Sequence, residues 1–260
     1  MTTQLVSLSP IPPVSQSPIP PLHTAMKNFR PVKHNYTRSD RRHLSQFAIA
    51  NLPLVILFLA AFLLTLPVTR EHMIWMLAEN RPVELLTFVF LIAGGIRGVI
   101  LTWQLQRANE SKIIVAFYLL FSLALLVIGA EEVAWGQWFV GFETPVALSE
   151  INTQNELTLH NLEIFNDHLE IFPLLYGVWG LVSIGLNKSF RFYKIASPPI
   201  LLSWYLAIAI VSAIDLFQDF FVLQEQFDYL INHLDEAIEM LVGIAGFLYI
   251  WLNAKLFKFS

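Results

Sequence analysis

Cysteine is absent from the 260-residue sequence, and charged residues make up only 14% of it. Without cysteine the chain has no disulfide, no thiolate metal ligand and no cysteine nucleophile, so any metal ion must be held by His, Asp, Glu or Asn. The low charge accompanies 55% hydrophobic residues, a composition too apolar for a soluble domain of this length. The sequence therefore predicts an integral membrane protein.

The sequence also lacks the signatures of nucleotide chemistry. It has no Gly-rich phosphate loop and no Gly-x-Ser-x-Gly nucleophile elbow. Residues 1–45 are rich in Pro, Ser and basic residues, which predicts a disordered cytoplasmic tail. Orientation and attraction to anionic lipid explain its charges better than nucleic-acid binding does, so the expected partner is the bilayer.

Six apolar stretches reach roughly the 20 residues that a helix needs to cross hydrocarbon. They are residues 47–67, 82–103, 113–131, 171–187, 198–220 and 236–254. The sequence predicts an all-α, polytopic bundle of six transmembrane helices within a domain of residues 46–256. Gly94 and Gly98 share one face of the second stretch, which predicts close packing against a neighbouring helix.

The positive charges are distributed unevenly, and their distribution predicts the orientation of the bundle. Thirteen of the sixteen Lys and Arg residues lie in the tail, in the loops around 104–112 and 188–197, or near the C-terminus. Only Arg70 and Arg81 lie in loops on the other side, and the segment 132–170 contains no Lys or Arg. Because Lys and Arg in short loops mark the cytoplasmic side, both termini are expected in the cytoplasm.

The extracytoplasmic loop 132–170 carries a further structural prediction. Trp135 and Trp138 suit the aromatic belt at a membrane interface. From about residue 154 to 170, polar side chains recur at spacings of three and four, which predicts an amphipathic helix lying on the membrane surface. The polar stripe consists of Glu156, His160, Glu163 and Asp167. This stripe either lines a cavity or is simply solvated.

Carboxylates gather at the predicted extracytoplasmic ends of four helices. Neighbouring carboxylates cannot all ionise cheaply in a low dielectric, so at least one pKa is expected to rise, as suits a general acid or a proton-carrying site. The predicted catalytic residues are Glu131, Glu132, His160, Asp215 and Glu239. The predicted ligands of a divalent metal ion are Glu84, Glu131, His160, Asp215, His233, Glu236 and Glu239. The alternative is that these acids are hydrated anchors.

Two strings in the loop resemble a family of uncharacterised bacterial multi-pass membrane proteins. The first string is Glu131-Glu132-x-x-Trp135-Gly136-Gln137. The second is Asn152-x-Gln154-Asn155-Glu156-x-x-x-His160-Asn161. The resemblance covers about residues 75–240 and implies a bacterial inner-membrane protein in which these residues act as a unit. It implies no established activity and no substrate.

Three functions fit these patterns. The first is a membrane enzyme, metal-dependent in one version, that acts on a lipid or lipid-linked substrate from the outer side. The second is a transporter or channel with an acidic vestibule for cations or protons. The third is a non-catalytic membrane subunit or assembly factor that docks a partner protein through Trp135, Trp138 and the surface helix.

Overall fold

The computed structural model describes most of the chain, and the described part is almost entirely helical. The described residues are 36–78, 80–152, 156–159, 162, 171–189, 192–218 and 225–257. Every side chain discussed below belongs to the unit Arg42–Ser260. Within the described residues a single β-bridge pairs Asn152 with Leu162.

Six of the described helices are long and apolar enough to cross a membrane, which confirms the predicted fold class. The spans are Ser45–Thr65, Pro82–Arg107, Lys112–Glu131, Ile171–Lys188, Pro199–Phe217 and Asp235–Ala254. Each overlaps one predicted stretch to within a few residues at either end. The agreement is close because hydrocarbon thickness, about 30 Å, fixes the length of a spanning helix.

The α-helices are numbered here in chain order. They are α1 Tyr36–Thr65, α2 Pro67–Met76, α3 Pro82–Arg107, α4 Lys112–Glu131, α5 Gln137–Val140, α6 Val146–Ser149, α7 Ile171–Gly185, α8 Leu202–Gln218, α9 Glu225–Asn232 and α10 Asp235–Ala254. Helix α1 begins within the predicted tail 1–45, because hydropathy marks only the apolar part of a helix. The rest of that tail, residues 1–35, lies outside the described residues.

The bundle has two chemically different ends, named here the acidic end and the basic end. At the acidic end α4 finishes and α3 and α10 begin, so that Glu84 and Glu131 lie there. At the basic end α3 finishes and α4 begins, with Arg107 and Lys112. The charges of the two ends therefore differ in sign.

Glycines on α3 allow its backbone to approach two neighbouring helices closely. A Cβ atom added at Gly94 would lie 3.1 Å from the Leu125 side chain on α4 and 3.1 Å from the Phe247 backbone on α10. A Cβ atom at Gly98 would lie 2.1 Å from the hydroxyl oxygen of Ser122 on α4. The small-residue face predicted from the sequence thus packs inside the bundle, where α3 lies between α4 and α10.

A small apolar core closes the acidic end beneath α2. Leu64 of α1, Val83 of α3 and Ala237 of α10 are buried together with Leu77 and Leu234. Partly buried side chains of α2 and α9 pack against this core. The starts of α3 and α10 are therefore held side by side, which brings together the acids that these helices carry.

At the basic end, four consecutive carbonyl groups of the loop between α7 and α8 accept hydrogen bonds from side chains. The four bonds run from Tyr118 Oη to Lys194 O at 2.6 Å, from Tyr249 Oη to Ile195 O at 2.7 Å, from Asn253 Nδ2 to Ala196 O at 3.1 Å and from Asn187 Nδ2 to Ser197 O at 2.7 Å. The donors come from α4, from α10 and from the 3₁₀ turn Leu186–Lys188 that follows α7. Ala196 and Ser197 are buried, so the bonds to their carbonyls satisfy backbone groups of buried residues. We call this arrangement the carbonyl ladder.

The predicted surface helix of the third loop falls largely outside the described residues, which omit 153–155, 160–161 and 163–170. The first part of the loop is described, and it forms a 3₁₀ turn at Ala134–Gly136 followed by the short helices α5 and α6. Trp135 there has a φ of 54°, in the left-handed region. This irregular backbone folds the loop back over the end of α4.

Candidate functional site

Glu84 is positioned by the turn that precedes α3. Asn80 has a φ of 62°, a left-handed conformation that Asn adopts more readily than most residues, and Pro82 then starts the helix. The Glu84 carboxylate reaches back to accept the backbone N–H of Asn80. The Asn80 side-chain amide in turn donates to Glu156 Oε1 at 3.2 Å. This turn therefore links the start of α3 to the loop that follows α4.

Glu131, the last residue of α4, is held by the segment that follows it. One carboxylate oxygen accepts the indole N–H of Trp135, and the other accepts the backbone N–H of Leu159 at 2.6 Å. Both are charge-assisted hydrogen bonds, which are stronger than neutral ones. Glu131 thereby fixes both the beginning and a distant part of the loop at the acidic end.

Glu132 is buried, with 9% of its surface exposed. It directly follows the span and so lies outside the membrane-spanning segment. Burial raises the pKa of its carboxyl well above the usual range, and four negative charges raise it further. In decreasing order of effect, those charges belong to Glu239, Glu84, Glu236 and Glu131. The structure thus places five acids from α3, α4 and α10 close enough to interact; we call them the carboxylate cluster.

Two members of the cluster open α10. Glu236 and Glu239 are three residues apart and therefore share a helix face. The free N–H groups of a helix N-terminus favour negative charge there, which offsets part of the repulsion among the acids. Both side chains are partly buried.

His233 lies just before α10 and is engaged with α9. Its Nδ1 lies 2.8 Å from the Tyr229 carbonyl oxygen, and its ring lies 4.2 Å from the Tyr229 ring. A carbonyl only accepts, so Nδ1 carries a proton and donates it in this hydrogen bond.

The remaining predicted site residues are Asp215 and His160. Asp215 is buried at 5% exposure in the last turn of α8, and it is not among the described acids whose charges raise the pKa of Glu132. His160 lies outside the described residues. Within the described part of the chain, no three His, Asp or Glu side chains are arranged to hold a metal ion. The metal site that relied on His160 remains a prediction.

The side-chain amides of Gln137 and Asn152 connect different parts of the third loop through hydrogen bonds. Neither residue was among the predicted site residues. Gln137 accepts the Leu157 backbone N–H at 2.8 Å and donates to Thr144 Oγ1 at 2.9 Å. Asn152 is buried and donates to the Thr158 carbonyl at 3.0 Å. Both belong to the strings on which the family resemblance depends, and that was the signal available in the sequence. Neither side chain is ionisable, so the charge pattern of the sequence does not mark it.

Comparison with known proteins gives no relative from which a function could be carried over. No protein-family model matches the chain, and no curated protein or solved structure is significantly similar to it. The class of protein therefore follows from the structure itself: an integral membrane protein, with six helices among the described residues that are long and apolar enough to span a bilayer. At one end of the bundle it carries a buried acid within a carboxylate cluster.

Proposed function

We propose that the protein is a membrane-embedded enzyme that acts on a lipid or lipid-linked substrate, with Glu132 as the proton donor. The observation that carries this proposal is the burial of Glu132 among four further acids. Such surroundings keep a carboxyl group protonated at a pH where an exposed one has ionised, which is the property that a general acid needs. An ionised neighbour in the cluster is then available as the base.

The loop beside the cluster supports a lipid-like substrate. Its exposed apolar side chains include Trp135, Phe139, Val140 and Val146. The Phe139 ring lies 6.0 Å from Phe88, which is in the second turn of a membrane span. Apolar loop residues at that depth meet the interface of a bilayer rather than water alone. An amphiphile could therefore approach Glu132 without leaving the membrane.

The charge distribution supports an extracytoplasmic position for the site. The segments 104–112 and 188–197 and the C-terminal residues, all at the basic end in sequence terms, hold seven Lys and Arg residues, and such residues mark the cytoplasmic side. The acidic end, with the carboxylate cluster, then faces outwards. Together with the family resemblance, this favours the outer leaflet of a bacterial inner membrane.

The test is lipid turnover by the purified protein in liposomes made from a total bacterial lipid extract. Mass spectrometry of the lipids should show a product formed by the wild type and lost with Glu132→Gln, which keeps the shape of the side chain but cannot release a proton. Glu143→Gln is the matched control, because Glu143 is exposed on the same loop. Unchanged lipid profiles with the wild type would refute the proposal.

A proton-coupled transporter is the second candidate, because acids from three spans surround one protonatable group. Against this candidate, helices α3, α4, α8 and α10 run without a break through the described bundle, whereas many transporters have discontinuous helices at the midplane. A pH-sensitive dye inside the liposomes separates the two. Glu132-dependent proton uptake without a lipid product would favour transport.

A metal-dependent version of the enzyme requires His160 to join the acids. Metal analysis of the wild type and of a His160→Ala, Glu239→Ala double variant tests it directly. A divalent ion bound by the wild type and lost from the variant would support this version, whereas an equal content in both would contradict it.

A further inference from the structure

Arg97 is a charged residue inside a membrane span. It lies fifteen residues after the start of α3 and ten before its end, so by helical rise it is about 22 Å from the acidic end of that helix and about 15 Å from its basic end. The residue is partly buried. A guanidinium within hydrocarbon is costly unless it pairs, so intramembrane cations usually meet an acid, a backbone carbonyl or a ligand.

The protein supplies no acid for Arg97 among the described residues, where no hydrogen bond or ion pair joins its side chain to another group. At the basic end Glu110 is bonded to Lys194. The acids of the six spans all lie near the acidic end; they are Glu84, Glu131, Asp215, Asp235, Glu236 and Glu239. A long side chain that snorkels from this position reaches the headgroup layer at the basic end. The negative charges available to Arg97 are therefore lipid phosphates.

Arg97 borders a groove between α3 and α10. It follows Phe90 by seven residues, two helical turns, so both lie on one stripe of α3. The Phe90 ring lies 5.9 Å from the Phe247 ring of α10, which stacks on the Trp251 ring at the same distance. A Cβ atom added at Gly94 would lie 3.1 Å from the Phe247 backbone, so these positions are at one depth. Because α3 and α10 run in the same direction, Arg97 and Trp251 are also at similar depth.

A second cation stands one turn beyond Trp251. The Lys255 Nζ lies 5.5 Å from the centroid of the Trp251 ring, and no described acid pairs with it. Trp251 is 46% exposed, and Lys255 is exposed. Helix α10 ends at Ala254, so Arg97 lies only about 6 Å above the level at which this neighbouring helix ends. Two cations and an exposed indole thus border one groove close to the headgroup layer.

We propose that this groove binds an anionic phospholipid of the leaflet at the basic end, with the lipid phosphate between the Arg97 guanidinium and the Lys255 ammonium. A guanidinium presents paired N–H donors to phosphate oxygens, and an ammonium adds a point charge. The acyl chains lie along the apolar stripe of Phe90 and Phe247. A zwitterionic phospholipid fits less well, because its own ammonium group neutralises the phosphate. On the orientation proposed above, this leaflet is the cytoplasmic one, where anionic lipids attract basic residues.

Native mass spectrometry of the purified protein tests lipid binding directly, with phosphatidylglycerol and phosphatidylethanolamine of identical acyl chains. The wild type should bind phosphatidylglycerol more tightly. Arg97→Gln should weaken that binding about 10- to 100-fold, and Lys255→Gln about fivefold, with phosphatidylethanolamine little affected. Arg107→Gln is the matched control, since it removes the same charge from α3. Arg107 stacks on Trp103, which lies about 140° round the helix axis from Gly98, and Gly98 faces α4 and α10.

Thermal unfolding in a non-ionic detergent gives a second, independent measurement. Without lipid, Arg97→Gln should be at least as stable as the wild type, because it removes an unpaired charge from a span. Added phosphatidylglycerol should raise the unfolding midpoint of the wild type and of Arg107→Gln but not that of Arg97→Gln. Inorganic phosphate should raise none of the three, because it lacks the acyl chains.

Four results would overturn the proposal. Equal affinity of the wild type for the two lipids means that the groove does not select negative charge. Equal weakening by Arg97→Gln and Arg107→Gln indicates general surface attraction rather than a site. Stabilisation by inorganic phosphate as large as that by the lipid assigns the cations to a soluble anion. Loss of stability in Arg97→Gln without lipid shows that Arg97 pairs within the protein.

Discussion

The Glu131 carboxylate accepts the backbone N–H of Leu159 at 2.6 Å, although twenty-eight positions separate the two residues in the chain. The neighbouring Glu132 continues the helical backbone, so its side chain points about 100° away around the axis. One acid therefore holds the loop while the next lies buried in the carboxylate cluster. Two adjacent residues of the same type have different tasks because the helix turns between them.

Glu131→Gln should loosen the loop without unfolding the bundle. The amide keeps one acceptor oxygen where the carboxylate has two, so one of the bonds to Trp135 and Leu159 is lost and the other is no longer charge-assisted. Hydrogen bonds to charged groups contribute about 1.5–3 kcal/mol, so amide exchange around Leu159 should become about 10- to 100-fold faster. Hydrogen–deuterium exchange measured by mass spectrometry checks this. Glu143→Gln should exchange like the wild type. Equal protection around Leu159 in the wild type and in both variants would contradict the role assigned to Glu131.

Glu132→Gln should change how stability depends on pH. The Glu132 pKa is raised in the folded protein, so the folded state holds this proton more tightly than the unfolded state, whose ordinary value is 4.5. The contribution of protonated Glu132 to the free energy of unfolding is fully present below pH 4.5. It falls as the pH rises towards the folded-state pKa, by up to about 1.4 kcal/mol per pH unit. The neutral amide does not titrate, so the variant should gain stability relative to the wild type as pH rises.

Thermal unfolding in detergent at a series of pH values measures this difference. The wild-type and Glu132→Gln curves should diverge above pH 4.5, whereas wild type and Glu143→Gln should stay parallel. Parallel curves for all three proteins would mean that Glu132 titrates normally.

Tyr249→Phe should destabilise the basic end of the bundle. The substitution keeps the ring but removes the donor to the Ile195 carbonyl, which is partly buried within the carbonyl ladder. The expected loss in free energy of unfolding is about 1–3 kcal/mol, the cost of a buried polar group without a partner. Reversible unfolding in mixed micelles gives the value. Tyr193→Phe, with 43% of the side chain exposed, is the control and should cost less than about 0.5 kcal/mol.

Gly180→Ala and Gly185→Ala should have opposite effects although both lie on α7. A Cβ atom at Gly180 would lie 2.1 Å from the buried ring of Tyr205, so the helices must separate, at a cost of about 1–3 kcal/mol. A Cβ atom at Gly185 meets nothing within 4 Å, and alanine should be neutral or up to about 1 kcal/mol more stable there. Equal unfolding free energies for the two variants would show that α7 does not pack on α8 through Gly180.

The spans were predictable because hydrophobic length is a local property of the chain. The set of acids was also visible in the sequence, since helical rise places Glu84, Glu131 and Glu239 at similar depth. Their grouping around Glu132 depends on which helices are neighbours. The spacing of Gly94 and Gly98 predicted a close helix contact, but it did not specify that α4 and α10 are the helices that make it. The sequence therefore predicted how deep each acid lies in the bundle, but it did not predict which helices are neighbours.

The carbonyl ladder was not predictable for a different reason. Tyr118, Tyr249 and Asn253 stand in apolar stretches, where an aromatic or amide side chain resembles ordinary span composition. Their partners are backbone carbonyls. Every residue has one, so the sequence does not show which carbonyl accepts the hydrogen bond. Polar atoms inside a span are nevertheless a usable signal, because each must find a partner there.

The carbonyl ladder also constrains the order in which the protein can mature in the membrane. Tyr249 and Asn253 belong to α10, the most C-terminal of the described spans, whereas the Ile195 and Ala196 carbonyls that accept their hydrogen bonds precede them by 54 and 57 residues. While the ribosome is still translating α10, those carbonyls have no such donors and are hydrated instead. The loop between α7 and α8 can therefore take up its final position only after α10 has been made.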